Sequence, residues 1–426
     1  MNAALQCLAA VRAVNQVIDD AVTLSSGNLV AAFHEHLCKA LDGAYVSLAP
    51  TCLKALLAKR YARYDGNMRD DSVDFALRLL KALHDDCNLA RKSSVVPCVG
   101  GDNDMIDVGE EFAPYLAIVA NDGDDGGPSL LYHQLAHHLT LCGPLCHPRF
   151  KANLETVDER TGAKLVWERC AARHESPILD AVAFQLHVQA KCADCGTSHN
   201  WFPIILHLSV ELPLEQESKV KYGGCAFCGA TRKNGLGLCT RCRSVGYCSG
   251  ECQRRHWPHH KLSCAHSPMK KFGRDTSLDD LLDEKFGPPH ETIGEVSRFC
   301  RECKTALPCV RTAIWSLPKI LIVHLSRNKS VGVKVETKVT FPRYKFDLCK
   351  RISGPKEGAF LYDLKAITEH GGTGRNYYVG QGHFTAKVRL CDDEWRLAND
   401  TLIQHCEHKD VVTNKACVLY YERQDS

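Results

Sequence analysis

No run in this sequence approaches the ~20 consecutive apolar residues that a membrane-spanning helix needs. The most apolar stretch, "IWSLPKILIVHL", is interrupted by Pro318 and Lys319. The N-terminus lacks a basic start, an apolar block and a small-residue cleavage site, so no secretory leader is expected. Internal repeats and coiled-coil heptads are absent as well. Net charge is small, +3 over 426 residues. What remains is a chain long enough for a sizeable core and for more than one structural unit. Its 45% hydrophobic and 24% charged content is ordinary for a soluble globular protein.

Cysteine, by contrast, is plentiful, with 24 in the chain. A secreted disulfide framework is normally short and loop-rich, and this chain is neither. Many of the cysteines come in C-x2-C pairs, which in an intracellular protein point to metal. We therefore expect a reducing compartment, the cytoplasm or the nucleus or both, and read the sequons at Asn328 and Asn399 as coincidental. Charge is also uneven. Between Lys219 and Arg274 there are 12 Lys/Arg and one acid, Glu251. A compact basic unit is set into a mildly acidic body.

The first half of the chain reads as helices. Residues 1–20 are Ala/Leu-rich with apolar residues at helical spacing. "DDSVDFALRLLKALHDDCNLA" (70–90) is a stronger helix, with Leu77, Leu80 and Leu83 on one face and acids at its start, where the helix dipole favours them. Residues 99–128, rich in Gly and Asp, read as a surface loop. "AFQLHVQAKCADC" and "WFPIILHLSVELP" read as strands flanking a cysteine turn. "TSLDDLLDEKFG" (276–287) starts with a helix N-cap signal. From about 296 onward the segments "ILIVHLSR", "KVETKVTFP", "YDLKAITEH", "HFTAKVRL" and "ACVLYYER" read as strands. The expected class is α+β, helices first and antiparallel strands after.

The basic unit carries eight regularly spaced donors, C-x2-C-x10-C-x2-C-x5-C-x3-C-x7-H-x3-C. They are Cys225, Cys228, Cys239, Cys242, Cys248, Cys252, His260 and Cys264. Eight N/S donors suffice for two tetrahedral zinc sites. A segment this short has almost no apolar core, so metal must supply its folding energy. "YCSGECQRRHWPHHKLSC" resembles a MYND finger and fits a RING finger worse, because of the order in which its ligands end. The resemblance implies one zinc on Cys225, Cys228, Cys248 and Cys252 and another on Cys239, Cys242, His260 and Cys264. It also implies a module, 225–264, that binds short proline-containing peptides. That role is favoured over nucleic acid, since no aromatic platform for bases is evident.

Two further pairs, Cys192/Cys195 in "CADC" and Cys300/Cys303 in "CREC", flank this unit. Two such knuckles on neighbouring hairpins make a four-cysteine zinc ribbon, expected over 185–220 and 290–345. A finger tip tolerates insertion, which accounts for the position of the basic unit.

Near the C-terminal end, "GQGHFTAKVRLCDDEWRLANDT" holds His383, then Trp395, then Asn399 and Asp400. Here the chain resembles the ubiquitin-specific proteases, papain-like cysteine peptidases. Their histidine box reads GGHYTAY, then a Trp, then an Asp/Asn-Asp pair and AYVLFYxR. The likeness continues in "MNAALQCL", the end of a cysteine box, in "RDDSVDFALRLLKALHDD", in the two C-x2-C pairs, in "LPKILIVHLSR", and in "KVTFP" and "YDLKAITEHGG". It covers essentially the whole chain, 1–426.

The resemblance implies a papain-like thumb–palm–fingers fold, three zinc ions in all, and removal of ubiquitin from ubiquitinated proteins. His383 would be the general base, oriented by Asn399, with Asp400 the next candidate. The family's nucleophile precedes this opening, in Gly-Asn-Thr-Cys-Phe/Tyr-Met-Asn, two residues ahead of Met1. The expectation is therefore that residues 1–426 alone are inactive; Cys7 lies within the helix and reads as core. A cysteine at the helix tip would have its thiolate favoured by the dipole and the nearby histidine. Asp71 and Asp74 replace the family's acids for the basic ubiquitin tail, although Arg69 and Asp70 stand where it has glutamines. Gly382 is one of the glycines lining the tail's tunnel, with Gln381 in place of another and a longer loop before it. One rival is a non-catalytic ubiquitin-binding scaffold that recruits partners through its finger. A second rival, a MYND-bearing lysine methyltransferase or transcriptional adaptor, is disfavoured by the lack of an Asn-His-Ser-Cys motif.

Overall fold

The computed structural model describes residues 1–24, 27–42, 48–66, 71–89, 158–171, 174–192, 194–212, 225–230, 236–239, 245–264, 275–287, 290–291, 300, 302–303, 309–330, 333–356, 358–371, 382–390 and 393–424. The stretch 99–128, Arg69, Asp70, Cys242, Gln381 and the side chain of Cys264 lie outside them.

Among the described residues seven α-helices come first: α1 (Asn2–Ala10), α2 (Arg12–Leu24), α3 (Asn28–Leu41), α4 (Thr51–Arg60), α5 (Ser72–Cys87), α6 (Glu159–Ala171) and α7 (Pro177–Val182). The single helix expected over 1–20 is two. Val11 is extended at φ −88, ψ 107 and wholly buried. Side chains satisfy the backbone groups the break exposes. The Ala13 amide donates to Glu422 Oε1 at 2.9 Å, and Asn15 Nδ2 donates to the Ala9 carbonyl at 3.1 Å. The helix expected over 70–90 is α5. Its buried stripe is wider than the three leucines, adding Phe75, Ala76, Leu79 and Ala82, because it is covered on more than one side, by α1, α3 and α7.

The strands follow in order: β1 (Phe184–Lys191), β2 (Ser198–Trp201), β3 (Ile204–Ile205), β4 (Leu208–Glu211), β5 (Gly237–Leu238) and β6 (Gly246–Tyr247). Next come α8 (Gly250–Cys264), β7 (Asp275–Ser277), α9 (Leu278–Lys285), β8 (His290–Glu291), β9 (Cys309–Ile314) and β10 (Ile320–Ser326). The chain ends with β11 (Asn328–Ser330), β12 (Val333–Lys334), β13 (Lys338–Thr340), β14 (Phe346–Asp347), β15 (Leu361–Gly371), β16 (His383–Arg389), β17 (Trp395–Asn399), β18 (Leu402–Cys406) and β19 (Ala416–Arg423). "WFPIILHLSVELP" is not one strand, because Pro203 has no N–H to give a ladder. "KVETKVTFP" is also divided. The buried Arg327 guanidinium takes the Val335 and Thr337 carbonyls at 3.0 and 2.9 Å, so these residues leave the ladder. The helix signal at 276 is correct: Ser277 Oγ accepts from the Asp280 amide at 3.0 Å and caps α9.

Eight strands form one sheet in the order β18-β17-β16-β15-β19-β10-β4, with β14 on β15. Five form another, β2-β1-β9-β8 with β3 on β1. The described pairings are antiparallel, as expected, except β10–β4 and β13–β7, which run parallel. The central strands β10 and β19 of the large sheet are buried on both faces. Along β19, Val418 and Tyr420 enter the core shared with α1, α2 and α5. Leu419 and Tyr421 enter the core on the opposite face with Trp395, Tyr362 and Phe346. This alternation explains the unbroken apolar run "ACVLYY", since every residue of a doubly covered strand must be apolar.

Candidate active site and metal clusters

Helix α1 packs on β15 and β16 through Ala3, Ala4, Leu5, Cys7 and Leu8. The alanines let its backbone approach the sheet closely. Its first turn carries no side-chain cap, so its amides point, with the positive end of the helix dipole, toward the end of the sheet. At that end stand the start of β16 and the finish of β17, placed side by side by an antiparallel register in which Ala386 faces Ala398.

His383 opens β16 and Asn399 closes β17. His383 Nε2 and Asn399 Oδ1 are 2.5 Å apart. An amide oxygen only accepts, so Nε2 donates, which in the neutral ring leaves the lone pair on Nδ1, the arrangement a general base needs. The histidine side chain is 53% exposed, open to a substrate. Asp400 Oδ2 lies 3.7 Å from the same Nε2. Asp400 has φ +52, a left-handed conformation that Asp tolerates better than most residues. Gly382, just before the histidine, has φ +115, which a side chain would strain.

Two α1 residues that sequence reasoning did not single out fasten this corner. Asn2 Nδ2 donates to Asp400 Oδ1 at 2.9 Å, and Gln6 Nε2 reaches the Asp400 carbonyl at 3.4 Å. A polar residue in the first turn of an otherwise apolar helix was the available signal. Cys7 is fully buried with its Sγ 3.4 Å from Thr368 Oγ1. Burial pushes its thiol up to about 12, so it stays protonated and is no nucleophile, as its place within the helix suggested.

Asp71 is the N-cap of α5 and Asp74 lies in its first turn. The Asp71 carboxylate accepts the Val73 amide at 2.8 Å and so caps the helix. Its charge also reaches β19, where it helps raise the buried Cys417 thiol, an effect second to burial itself. Helices α1 and α5 thus present their N-terminal residues on the same face of the large sheet, whose core they share.

The cysteines of the small sheet converge. The sulfurs of Cys192, Cys195, Cys300 and Cys303 lie within 4.8 Å of one another. Cys192 and Cys303 are 3.3 Å apart, and Cys195 and Cys300 are 3.5 Å apart. Zn–S bonds of ~2.3 Å in a tetrahedron put the sulfurs about 3.8 Å apart, so a small expansion of this cage admits the ion. A second four-sulfur cluster joins Cys225, Cys228, Cys248 and Cys252, with Cys228–Cys248 and Cys248–Cys252 at 3.4 Å and Cys252–Cys228 at 3.8 Å. A tetrahedral all-thiolate set suits zinc or an iron–sulfur centre. Of the other expected set, Cys239 and His260 are both buried, and the His260 ring lies edge-on to Trp257.

The chain belongs to the ubiquitin carboxyl-terminal hydrolase family, whose sequence pattern matches residues 1–421. Similar curated proteins include ubiquitin carboxyl-terminal hydrolase 5 of Arabidopsis thaliana, 35% identical over 132 residues, covering 30% of this chain and 14% of that protein. Ubiquitin carboxyl-terminal hydrolase 15 of Homo sapiens is 32% identical over 164 residues, covering 37% of this chain and 16% of that protein. The chain thus spans less than a fifth of the length of these relatives. Among solved structures, the Ubp8/Sgf11/Sus1/Sgf73 SAGA DUB module bound to monoubiquitin is similar at a TM-score of 0.56 and 14% identity, covering 100% of this chain and 66% of that one. The same module bound to ubiquitin aldehyde gives a TM-score of 0.53 at 13% identity, with 100% and 67% covered. At such identity the likeness is one of fold, that of the deubiquitinases.

Proposed function

We propose that this chain forms the catalytic domain of a thiol-dependent deubiquitinase that hydrolyses the isopeptide or peptide bond at the C-terminus of ubiquitin. The observation that carries this is the corner where His383 is bonded to Asn399 and the first turn of α1 is bonded to Asp400. A cysteine just ahead of Met1 would sit at the tip of α1, with helix dipole and imidazole both favouring its thiolate. His383 Nδ1 takes the thiol proton. The thiolate attacks the carbonyl of ubiquitin's terminal glycine, and the imidazolium returns the proton to the leaving amine. Water, deprotonated by the same nitrogen, then cleaves the thioester and frees the carboxylate and the thiol. Asn399 holds the ring, Asp400 supports the imidazolium charge, and Asp71 and Asp74 attract the basic ubiquitin tail past Gly382.

The metal centres belong to the same proposal. Cys192, Cys195, Cys300 and Cys303 would hold one zinc and Cys225, Cys228, Cys248 and Cys252 a second. Cys239, Cys242, His260 and Cys264 would hold a third, completing a MYND-type finger over 225–264 that binds proline-containing peptides. These ions would supply folding energy and no chemistry. The expected location is cytoplasmic or nuclear.

The test begins with the transcript upstream of the Met1 codon. A frame encoding an Asn-Thr-Cys-Phe-like stretch gives the protein to assay on ubiquitin conjugates. Cleavage that disappears in His383→Ala supports the proposal. Ubiquitin binding without hydrolysis by that extended protein overturns it in favour of a non-catalytic scaffold. A stop codon, or another residue where the cysteine belongs, does the same. Residues 1–426 alone are expected not to hydrolyse.

A further inference from the structure

Strand β18 ends the large sheet, and among the described residues nothing pairs with its outer edge. It begins at Leu402, two residues after Asp400. Its first four residues are exposed, with Leu402 at 51% and Ile403 at 54%. Consecutive strand residues point to opposite faces, so an apolar side chain stands in solvent on each face of this edge. Edge strands in soluble proteins are normally blunted by charge, proline or a bulge. Leu402–Cys406 reads "LIQHC" and contains no Lys, Arg, Asp, Glu or Pro. Its register with β17 runs without a bulge from Asn399↔Leu402 to Trp395↔Cys406. Alternate residues of an antiparallel edge turn their N–H and C=O away from the neighbour, which leaves a template for an added strand.

We propose that β18 is the docking edge for the target protein: an extended segment flanking the ubiquitin-bearing lysine adds to it as a further strand. This rests on the function proposed above. The leaving amine must lie within hydrogen-bond reach of His383 to take its proton, and β18 departs from the turn that holds His383's partners. Five residues extend about 17 Å, so the polypeptide around the modified lysine falls alongside this strand. Main-chain bonds would give affinity without demanding a sequence, and Leu402 and Ile403 would favour apolar residues on either side, the usual logic of strand addition.

The experiment uses the extended, zinc-loaded protein and two substrates: ubiquitin amide-linked to a small fluorophore, and ubiquitin isopeptide-linked to a lysine within a short peptide. Ile403→Lys should lower kcat/KM on the peptide conjugate about tenfold, the loss of one partly buried apolar anchor, and leave the fluorophore substrate unchanged. Equal change on both, or none, overturns the docking edge. Should the unsubstituted protein cleave neither, the functional proposal fails, and the edge is decided by NMR. The amides of Ile403 and His405 must then shift when the intact peptide conjugate is added, and must not in Ile403→Lys; absence of that shift overturns it. A homodimer that Ile403→Lys dissociates also overturns it, assigning the edge to a second copy of this chain.

Discussion

In the large sheet Trp395, Tyr362, Tyr420 and Tyr421 are each 0% exposed, and two apolar cores cover its two faces. In the segment 225–264 the buried side chains among those described are those of Cys225, Cys239, Tyr247 and His260. Three of these four are zinc donors in the ligand pattern, so what burial exists there surrounds the expected ions. The large sheet holds His383 and Asn399 in place by excluding water from large side chains. The segment 225–264 brings sulfurs together and leaves little else to hold it. The proposed catalytic corner, which would have to be exact to a fraction of an ångström, is built on the first kind of structure. The second kind is separable from it.

Metal removal should break the comparison most visibly. Structural zinc in such short segments is worth roughly 10–16 kcal/mol of apparent binding energy at neutral pH, more than the segment's own packing supplies. A strong chelator should therefore expose the amides of 225–264 and of the Cys192/Cys300 knuckles to rapid hydrogen exchange. Amides of β15 and β19 should stay protected. Uniform loss of protection in both regions would mean that the sheet depends on the metal too.

Trp395 probes the other side. It begins β17, the strand that ends at Asn399, and its Nε1 has no partner among the described residues. Trp395→Ala should cost about 3–5 kcal/mol in urea unfolding, as large aromatic truncations in cores do. Trp395→Phe removes the orphan donor along with some volume, and its loss should be clearly smaller. If the two variants unfold alike, packing is not what holds this strand.

Much of this division was legible in the sequence. Spacing located the donor pairs, because two ligands of one ion recur at short fixed intervals, and the family resemblance grouped those pairs into the two four-sulfur clusters that converge. The resemblance in the histidine box pointed to His383 and Asn399, and neighbouring strands bring the two within hydrogen-bond distance. Three features were hidden. The break at Val11 depends on Glu422, hundreds of residues away, to satisfy an amide in α2. The division of "KVETKVTFP" depends on a buried guanidinium drawn from the end of β10. Asn2 joins the corner only because the turn after β17 lands on it. Each is a contact distant in sequence, which local propensity does not encode.

Buried thiols give a smaller, pH-dependent test. Cys7 is held protonated by burial, its pKa pushed from 9.0 up to about 12. The folded value is raised, so the unfolded chain releases this proton first. Stability is full below pH ~9 and falls by about 1.4 kcal/mol per pH unit from there toward pH 12. Cys7→Ala should remove that slope while Cys417, also raised by burial, keeps its own. Parallel melting curves for the two proteins above pH 9 would show that Cys7 ionises in the folded state.

The smallest effect lies at the corner itself. Asn2→Ala deletes one hydrogen bond to a carboxylate that is 52% exposed, so about 0.5–1.5 kcal/mol of stability should go. Asn2→Asp should cost more, since it sets a carboxylate against Asp400 at the distance where the amide now donates. Salt separates the two causes. Raising ionic strength toward 1 M shortens the screening length to about 3 Å, which should shrink the Asn2→Asp defect and leave that of Asn2→Ala unchanged. If neither variant changes stability and both leave the Asp400 amide resonance in place, α1 does not hold the turn. The sheet would then position His383 and Asn399 by its own register alone.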